Sequence, residues 1–593
     1  MNKINRQHFL KMGTLAMLAP LFDTVLVRAA STQKYFLEND EIFNRLLIAN
    51  DNQVAGLLQT INSTNINFTR KIGYDFSVLA ASYTFLGSKY FHEPAIISKL
   101  QILTAVLIRF QSADGTVNIG NLESPPDTAF LVELLAAAAH ILAKDNAAEL
   151  STVNTAIKQF LINAGNALTT GGVHTPNHRW VICAALAKLN ALYPNKKYVN
   201  RANEWLSEGV FMDADGHYPE RSAGIYAGVE NSSLITIARL LHKPELLQYV
   251  RKNLEMTLYY IEPNGEVVTV DSRRQDQYMK CSIITYNYLN YRYMAINDGN
   301  KQFAVITRQM ENMNGFEQDI LNKGLFHFLD NEMLRNSLPE QAAQDYNYEK
   351  LFTTSKLLRI RRGNTTATLF GGADWPLIIA SGRSNSPNIF SYRKGNAILK
   401  YMRLSSNFFS MGYFYSDGIK KEKNKYVLHK KLNVPYYQPL PKNLRNSNGD
   451  YKLSPSTDNR FWNKMDFKNR PVSNVKNLVT TVSFAETNGN AVLNFQVTGL
   501  VGVPVTIELC FLEGGKISGV TVADGGNSFL ENGIGKYEFG EDVIQFGPGA
   551  AAHKTITNLE GEKYSTHFGS LKTEGMHVYI TGITPFNHQL IFS

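Results

Sequence analysis

Cysteine is almost missing from this chain. Cys183, Cys281 and Cys510 are the only three in 593 residues, far apart and without a Cys-x-x-Cys spacing. That excludes a disulfide framework or a zinc ribbon and makes buried free thiols the expectation. Charge is also sparse, with Asp, Glu, Lys and Arg at 19% of residues and a net charge of +9. No basic run alternates with aromatics, so a nucleic-acid groove is not indicated, while the mild surplus suits an anionic partner. Beyond residue 30 no stretch reaches about 18 uninterrupted apolar residues, so no membrane span is expected in the mature protein. No lipobox cysteine stands near the start, which argues against a lipid anchor.

Hydrophobic residues make up 44% of the chain and aromatics 11%, including 29 Tyr, as in a folded globular protein. The length calls for two or more domains. Lys3, Arg6 and Lys11 precede an apolar stretch from Met12 to Val27, with Ala29, Ala30 and Ser31 after it. This predicts a signal peptide over 1–30 and an exported protein, periplasmic or secreted. Asn5 to Lys11 resembles a twin-arginine signal with Gln7 in place of the second arginine, so the export route stays open.

From Asn39 to about Asn336 the apolar periodicity is helical. Candidate helices are Asp40–Thr60, Asp75–Leu86, Glu93–Phe110, Asp127–Ala143, Ala147–Leu168, Asn177–Leu192, Lys196–Ser207, Ala223–Leu241, Pro244–Tyr260 and Gln275–Ile296. Polar glycine loops recur at Asp114-Gly115, Gly171-Gly172, Asp215-Gly216 and Asn264-Gly265, about 57, 44 and 49 residues apart, as one helical hairpin per step would give. Hairpins that close into a ring would bring these loops to one end; an open solenoid would spread them along a face. From Leu357 the pattern turns to short alternating runs, among them Thr365–Phe370, Ala397–Arg403, Leu478–Phe484, Ala491–Val497 and Thr506–Phe511. These predict an antiparallel β-sandwich. The fold class expected is therefore α+β and multidomain: an N-terminal (α/α) toroid of helical hairpins over 31–337, a linker over 338–356 and a β-sandwich over 357–593. Ser416–Asn459, rich in Lys, Asn, Tyr and Pro, reads as a long loop.

Two polar stretches stand out. One is Gly171-Gly172-Val173-His174-Thr175-Pro176-Asn177-His178-Arg179-Trp180; the other is Asp213-Ala214-Asp215-Gly216-His217-Tyr218-Pro219-Glu220-Arg221-Ser222 with Tyr226 beyond it. Three histidines beside Asn, Arg, Glu and two tyrosines are poor core material, since each polar tip needs a partner if buried. The mixture suits proton abstraction from a carbon next to a carboxylate, which needs a base, an acid and a group that neutralises the carboxylate. Asn177 also reads as a helix N-cap, Glu220 with Arg221 as a surface ion pair, and Trp180 as core. A charged His178 would meet the positive end of its helix, so a neutral ring is expected there. His174 and His217 with Asp213 or Asp215 make only a weak metal signal.

Asn177-His178 resembles the Asn-His pair of alginate and heparinase-like lyases. Asp215-Gly216-His217-Tyr218-Pro219-Glu220-Arg221-Ser222 followed by Tyr226 resembles the Asp-Gly-x-(Tyr/Phe)-x-Glu-x-Ser-x-x-Tyr loop of heparinase II/III-like proteins, with three residues rather than two before the tyrosine. An exported helical toroid followed by a β-sandwich is similar to polysaccharide lyases of the chondroitin AC, hyaluronate and alginate type. The chain departs from them in having Arg179-Trp180 after Asn-His and no Asn-Trp-Trp pattern, so the substrate cannot be carried over.

The resemblance implies β-elimination at a uronic acid, with the C5 proton removed and O4 leaving. Asn177 with Arg274 or Arg221 would hold the carboxylate, and His178 or Tyr226 would take the proton. Tyrosine starts near pKa ~10 and needs a nearby cation to act as base, whereas histidine starts near ~6.5 and does not. Tyr226 is the acid candidate and Tyr218 the reserve. Glu220, Arg221, Arg273, His174 and Arg179 are expected to line the substrate. The partner expected is a uronate-containing polysaccharide or oligosaccharide. No cofactor and no catalytic metal are called for, and no calcium loop is evident. Two other classes stand beside this reading: a glycoside hydrolase pairing Glu220 with Asp127, Asp271 or Asp276, and a non-catalytic glycan-binding protein.

Overall fold

In the computed structural model the residues described are 41–62, 66–340, 342–343, 345–372, 386–409, 411–456, 462–523, 526–554, 556 and 574–593. The stretch read as a signal peptide lies outside them. The chain forms two compact units. One comprises Met1–Gly172, Lys188–Asn195 and Asn314–Ser337; the other comprises Val173–Ala187, Lys196–Met313 and Leu338–Ser593.

The first unit is helical. Glu41–Thr60, Lys71–Thr84, Pro94–Phe110, Pro125–Leu142, Ser151–Thr170 and Asn322–Asp330 bury their apolar faces against one another. Gly73 lets the second of these approach the fourth closely, because a Cβ there would stand 2.9 Å from Leu131 Cδ1. Inside this core the buried Asp51 accepts from the Ser82 and Ser88 hydroxyls and the Lys89 amide. Pro125–Leu142 is the one helix among the described residues long and apolar enough to cross a membrane, and 78% of it is buried in this core. Asp127 pairs with Arg70 and accepts from Asn121 and Ser124.

The second unit holds the remaining helices and both large sheets. Its helical part includes most of His178–Leu192, then Lys196–Ser207, Tyr226–Leu240, Leu247–Thr257, Ile283–Asp298 and Lys301–Glu311. The expected helix Gln275–Ile296 is broken. Gln275–Tyr278 is a single 3-10 turn, Cys281–Ser282 pairs with Glu266–Val267, and Ser282 caps a new helix by accepting the Ile284 amide. The helices Lys301–Glu311 and Asn322–Asp330 lie inside the span read as helical, which did not delimit them.

The β region is a sandwich. Among the described residues one sheet has ten strands, centred on Met576–Ile583, Pro504–Phe511, Ala397–Ser406, Phe390–Lys394 and Thr365–Phe370. The other has eight, centred on Lys425–Tyr437, Val472–Thr487, Asn490–Gly499 and Phe586–Phe592. Leu369, Leu399, Ile507 and Ile580 of the first sheet share one core with Leu428, Val482, Leu493 and Leu590 of the second. The fold class expected from sequence, helical hairpins followed by an antiparallel sandwich, is the one observed. The expected loop Ser416–Asn459 is largely not a loop: Ile419–Glu422 and Lys425–Tyr437 are paired strands, whose alternation of charge with apolar residues hid them. All three cysteines are buried and free.

Candidate active site

The loop from Asp213 to Tyr226 is built by its own polar side chains. Asp213 Oδ1 accepts the amides of Asp215, Gly216 and His217 at 3.0, 3.0 and 2.9 Å. Gly216 is required at the turn, with φ +103° and the Lys252 carbonyl 3.1 Å from where a Cβ would stand. Asp215 turns away from the loop and accepts three amides, from Thr353, Thr354 and Ser355, at 3.1, 2.7 and 3.1 Å.

His217 and Tyr218 point inward. His217 is 1% exposed and its Nε2 lies 2.8 Å from the Tyr260 hydroxyl, which donates to Asp271 Oδ2 at 2.7 Å. With the phenolic proton so used, the Tyr260 oxygen accepts from His217 Nε2–H. Burial, then the nearby Arg221 and Arg273 cations, hold the His217 pKa down to about 3. Burial pushes Asp271 up to about 7 despite the Tyr260 bond and Arg221. Tyr218 is 2% exposed and donates to Asn231, whose amide continues to Asn253 and on to the Gly216 carbonyl. Burial drives its hydroxyl well above the ordinary tyrosine range.

Glu220 is where the polar cluster begins. Asn177 Nδ2 donates to Glu220 Oε2 at 2.7 Å, and Arg274 Nη1 stands 3.1 Å from Glu220 Oε1. The Arg274 guanidinium in turn covers the Tyr226 ring at 4.5 Å, and the Tyr226 hydroxyl donates to Gln275 at 3.2 Å. Asn177, Glu220, Arg274 and Tyr226 are thus linked in one chain of contacts across three segments. Burial raises the Glu220 pKa, with Arg274 and Asn177 pulling the other way. Asn177 precedes the helix His178–Leu192, as an N-cap would, yet its side chain is spent on Glu220 and Oδ1 has no hydrogen-bonding partner among the described residues. His178 opens that helix, and the exposed His174 packs edge-on against it at 4.9 Å.

The other expected residues brace this cluster or face elsewhere. The Arg273 amide donates to the Glu220 carbonyl at 2.9 Å, and its guanidinium to the Pro219 carbonyl at 3.2 Å. Arg221 sits in the left-handed region at φ +51°, which sends its side chain to the Thr354 carbonyl (3.3 Å) and Asp213 (3.8 Å) rather than to Glu220. Arg179 bonds Glu208 at 2.8 Å and lies over Trp180, itself 1% exposed and part of the core. Of the hydrolase carboxylates, Asp271 is bonded to Tyr260, and Asp276 accepts from both Ser222 and Ser272. Ser222 also accepts the Tyr226 amide at 3.0 Å and so starts the next helix. Among the described residues no group of three or more His, Cys, Asp or Glu is arranged to hold a metal ion.

Sequence reading missed two residues. Gln275 holds the Tyr226 hydroxyl, and nothing in its local pattern marks it. Glu230 is 1% exposed on the helix Tyr226–Leu240, one turn beyond Tyr226. Neither of its carboxylate oxygens has a hydrogen-bonding partner among the described residues. Burial, with Glu220 nearby, pushes its pKa well up. A carboxylate on the apolar face of a helical wheel was the signal that could have found it.

No protein-family model and no curated protein sequence matches the chain. Solved structures do. The chondroitin AC lyase of Streptomyces coelicolor A3, in complex with chondroitin sulphate, aligns with 97% of this chain and 82% of its own, at 13% identity and TM-score 0.53. Heparinase III aligns over 90% and 78%, at 12% identity and TM-score 0.53. A Paenibacillus xanthan lyase aligns over 97% of this chain and 59% of its own, at 11% identity and TM-score 0.54. At these identities the likeness is one of fold, and the fold is the toroid-and-sandwich class of these polysaccharide lyases.

Proposed function

We propose that the chain is an exported polysaccharide lyase that cleaves a uronate-containing glycan by β-elimination. The observation that carries the reading is the contact chain Asn177–Glu220–Arg274–Tyr226, with His178 next to Asn177. The similarity in fold to structures titled as chondroitin AC lyase, heparinase III and xanthan lyase supports it.

In this reading Arg274 and Asn177 bind the uronate carboxylate and spread the charge that develops as C5 loses its proton. His178 takes that proton. The C4–O4 bond breaks as the C4=C5 double bond forms, and Tyr226 gives its proton to O4. Glu220 acts through its neighbours, as a positioning residue that fixes the Asn177 amide and the Arg274 guanidinium. Arg273 and Ser222 hold the two ends of that arrangement. Tyr218, with its hydroxyl committed to Asn231, serves the scaffold in this scheme, and Arg221 serves the anchor to Thr354. The N-terminal pattern would deliver the enzyme to the periplasm or beyond, where such glycans are met.

The test is absorbance near ~235 nm, the signature of a conjugated unsaturated uronate, during incubation with several uronate polymers beside His178→Ala. A rise that the variant loses is the expected result. New reducing ends without that rise would mean hydrolysis and overturn the proposal.

A further inference from the structure

We infer that the outer face of the eight-stranded sheet carries a glycan-binding groove, distinct from the residues proposed for catalysis and not dependent on the elimination reading. Strand register builds it. His429 pairs with Thr481, Thr481 with Gln496, and Gln496 with Asn587, so four hydrogen-bonding side chains form a row across four strands. Two residues along, Ser483 pairs with Asn494 and Asn494 with Gln589, a second row on the same face. The intervening residues Leu428, Val482 and Leu590 belong to the sandwich core. Both rows line a concavity of about 950 Å³.

The chemistry of the lining selects the occupant. Concavities of this size that take small apolar ligands are lined mostly by hydrophobic side chains. Here Asn494, Gln496, Asn587 and Gln589 are exposed amides, set beside the apolar Ile419 and Val427. An amide offers donors and an acceptor together, matching a sugar hydroxyl, which also does both. The charges cancel. Lys420 and Lys425 stand against Asp417 and Glu422 in the lining, with Lys420 3.2 Å from Glu422, so the groove lacks the basic surplus that a nucleic acid requires. Some of the side chains are already aligned for such contacts: Gln589 Nε2 donates to Asn494 Oδ1 at 2.9 Å, and His429 Nδ1 lies 3.2 Å from Thr481 Oγ1. Recognition through hydroxyls along an open, neutral groove fits a stretch of polysaccharide rather than one isolated sugar. The groove would hold a polymer while another part of it is processed.

Affinity electrophoresis of the full chain through native gels cast with xanthan, chondroitin sulphate or a neutral glucan tests this. At least one polymer retards the protein, and Asn494→Ala with Gln496→Ala raises the apparent Kd at least fivefold at unchanged Tm. Gln496→Glu keeps the side-chain size and weakens retention in the anionic gels only. His178→Ala stays retarded, which separates binding here from failure of the elimination chemistry. Equal retention of the double variant and the parent, or no retention of the parent in any gel, overturns the inference. So does retention by single-stranded DNA matching that by the glycans.

Discussion

Arg274 touches a carboxylate on one side and an aromatic face on the other, and the two contacts ask for different shapes of cation. The planar guanidinium serves both, at 3.1 Å from Glu220 and 4.5 Å from the Tyr226 ring. Arg274→Lys keeps the charge and loses that fit. We expect turnover to fall about 10²–10³-fold, as when one stabilising donor is lost from a catalytic site, with kcat carrying the loss. Glu220→Gln keeps the shape and removes the partner charge; kcat is expected to drop while Arg274 stays bound to protein, visible as a smaller loss than for Arg274→Lys. Steady-state kinetics on whichever uronate polymer is turned over checks both. At this scale the sequence showed Asn177 and Glu220 because a polar residue inside a motif is conspicuous. It could not show that Arg221 turns away, since that follows from a positive φ set by the loop's own closure. Nor could it show Gln275, whose role exists only through a side chain 49 positions earlier.

The loop element is held by a small hydrogen-bond web, and the web predicts its stability. Ser222→Ala removes the bond to Asp276 and the acceptor for the Tyr226 amide together. A cost of about 1–2 kcal/mol in urea denaturation is expected. The His217–Tyr260–Asp271 cluster predicts a pH response. Asp271 titrates near 4 unfolded and about 7 folded, so its contribution favours folding at low pH and is lost as pH rises through that window. His217 goes from 6.5 down to about 3, so its contribution is present above pH 6.5 and lost as pH falls towards 3. The two slopes oppose between about pH 4 and 6.5. Asp271→Asn should therefore leave stability rising with pH across that range, where the parent is nearly flat, in denaturation curves taken from pH 4 to 8. Helices with an unbroken apolar stripe, such as Lys196–Ser207, were legible to the residue. Gln275–Ile296 was not, because a two-residue bridge to Glu266–Val267 interrupts a periodicity that runs on in the sequence.

Across the whole molecule the helical and β regions of the second unit meet through buried charge. Glu262, just after a helical turn, faces Arg359 on the strand Leu357–Arg362 at 2.9 Å, with Arg393 at 3.7 Å. Burial alone would raise Glu262, but the two arginines hold it at about 2. Its stabilising share is complete above pH 4.5 and lost as pH falls towards 2. Arg359→Met removes the nearer guanidinium and leaves the buried Glu262 with Arg393 at 3.7 Å and the Thr366 hydroxyl, and about 3 kcal/mol of stability should go with it. Adding Glu262→Gln should restore most of that loss, and the four Tm values of the cycle decide it. The order of the two regions was plain from the switch in hydrophobic period near Leu357. Their joint was not, because Glu262 and Arg359 are 97 residues apart and each alone reads as a surface charge.

The three amides that Asp215 accepts come from residues 353–355, well over a hundred positions further along. During synthesis the loop bearing Glu220 emerges long before its anchor does. Until Ser355 has left the ribosome, the Asp215 carboxylate lacks the amides that seat it. Under the proposed function, a nascent chain stopped after its last helix would lack this anchor and be an unarmed one.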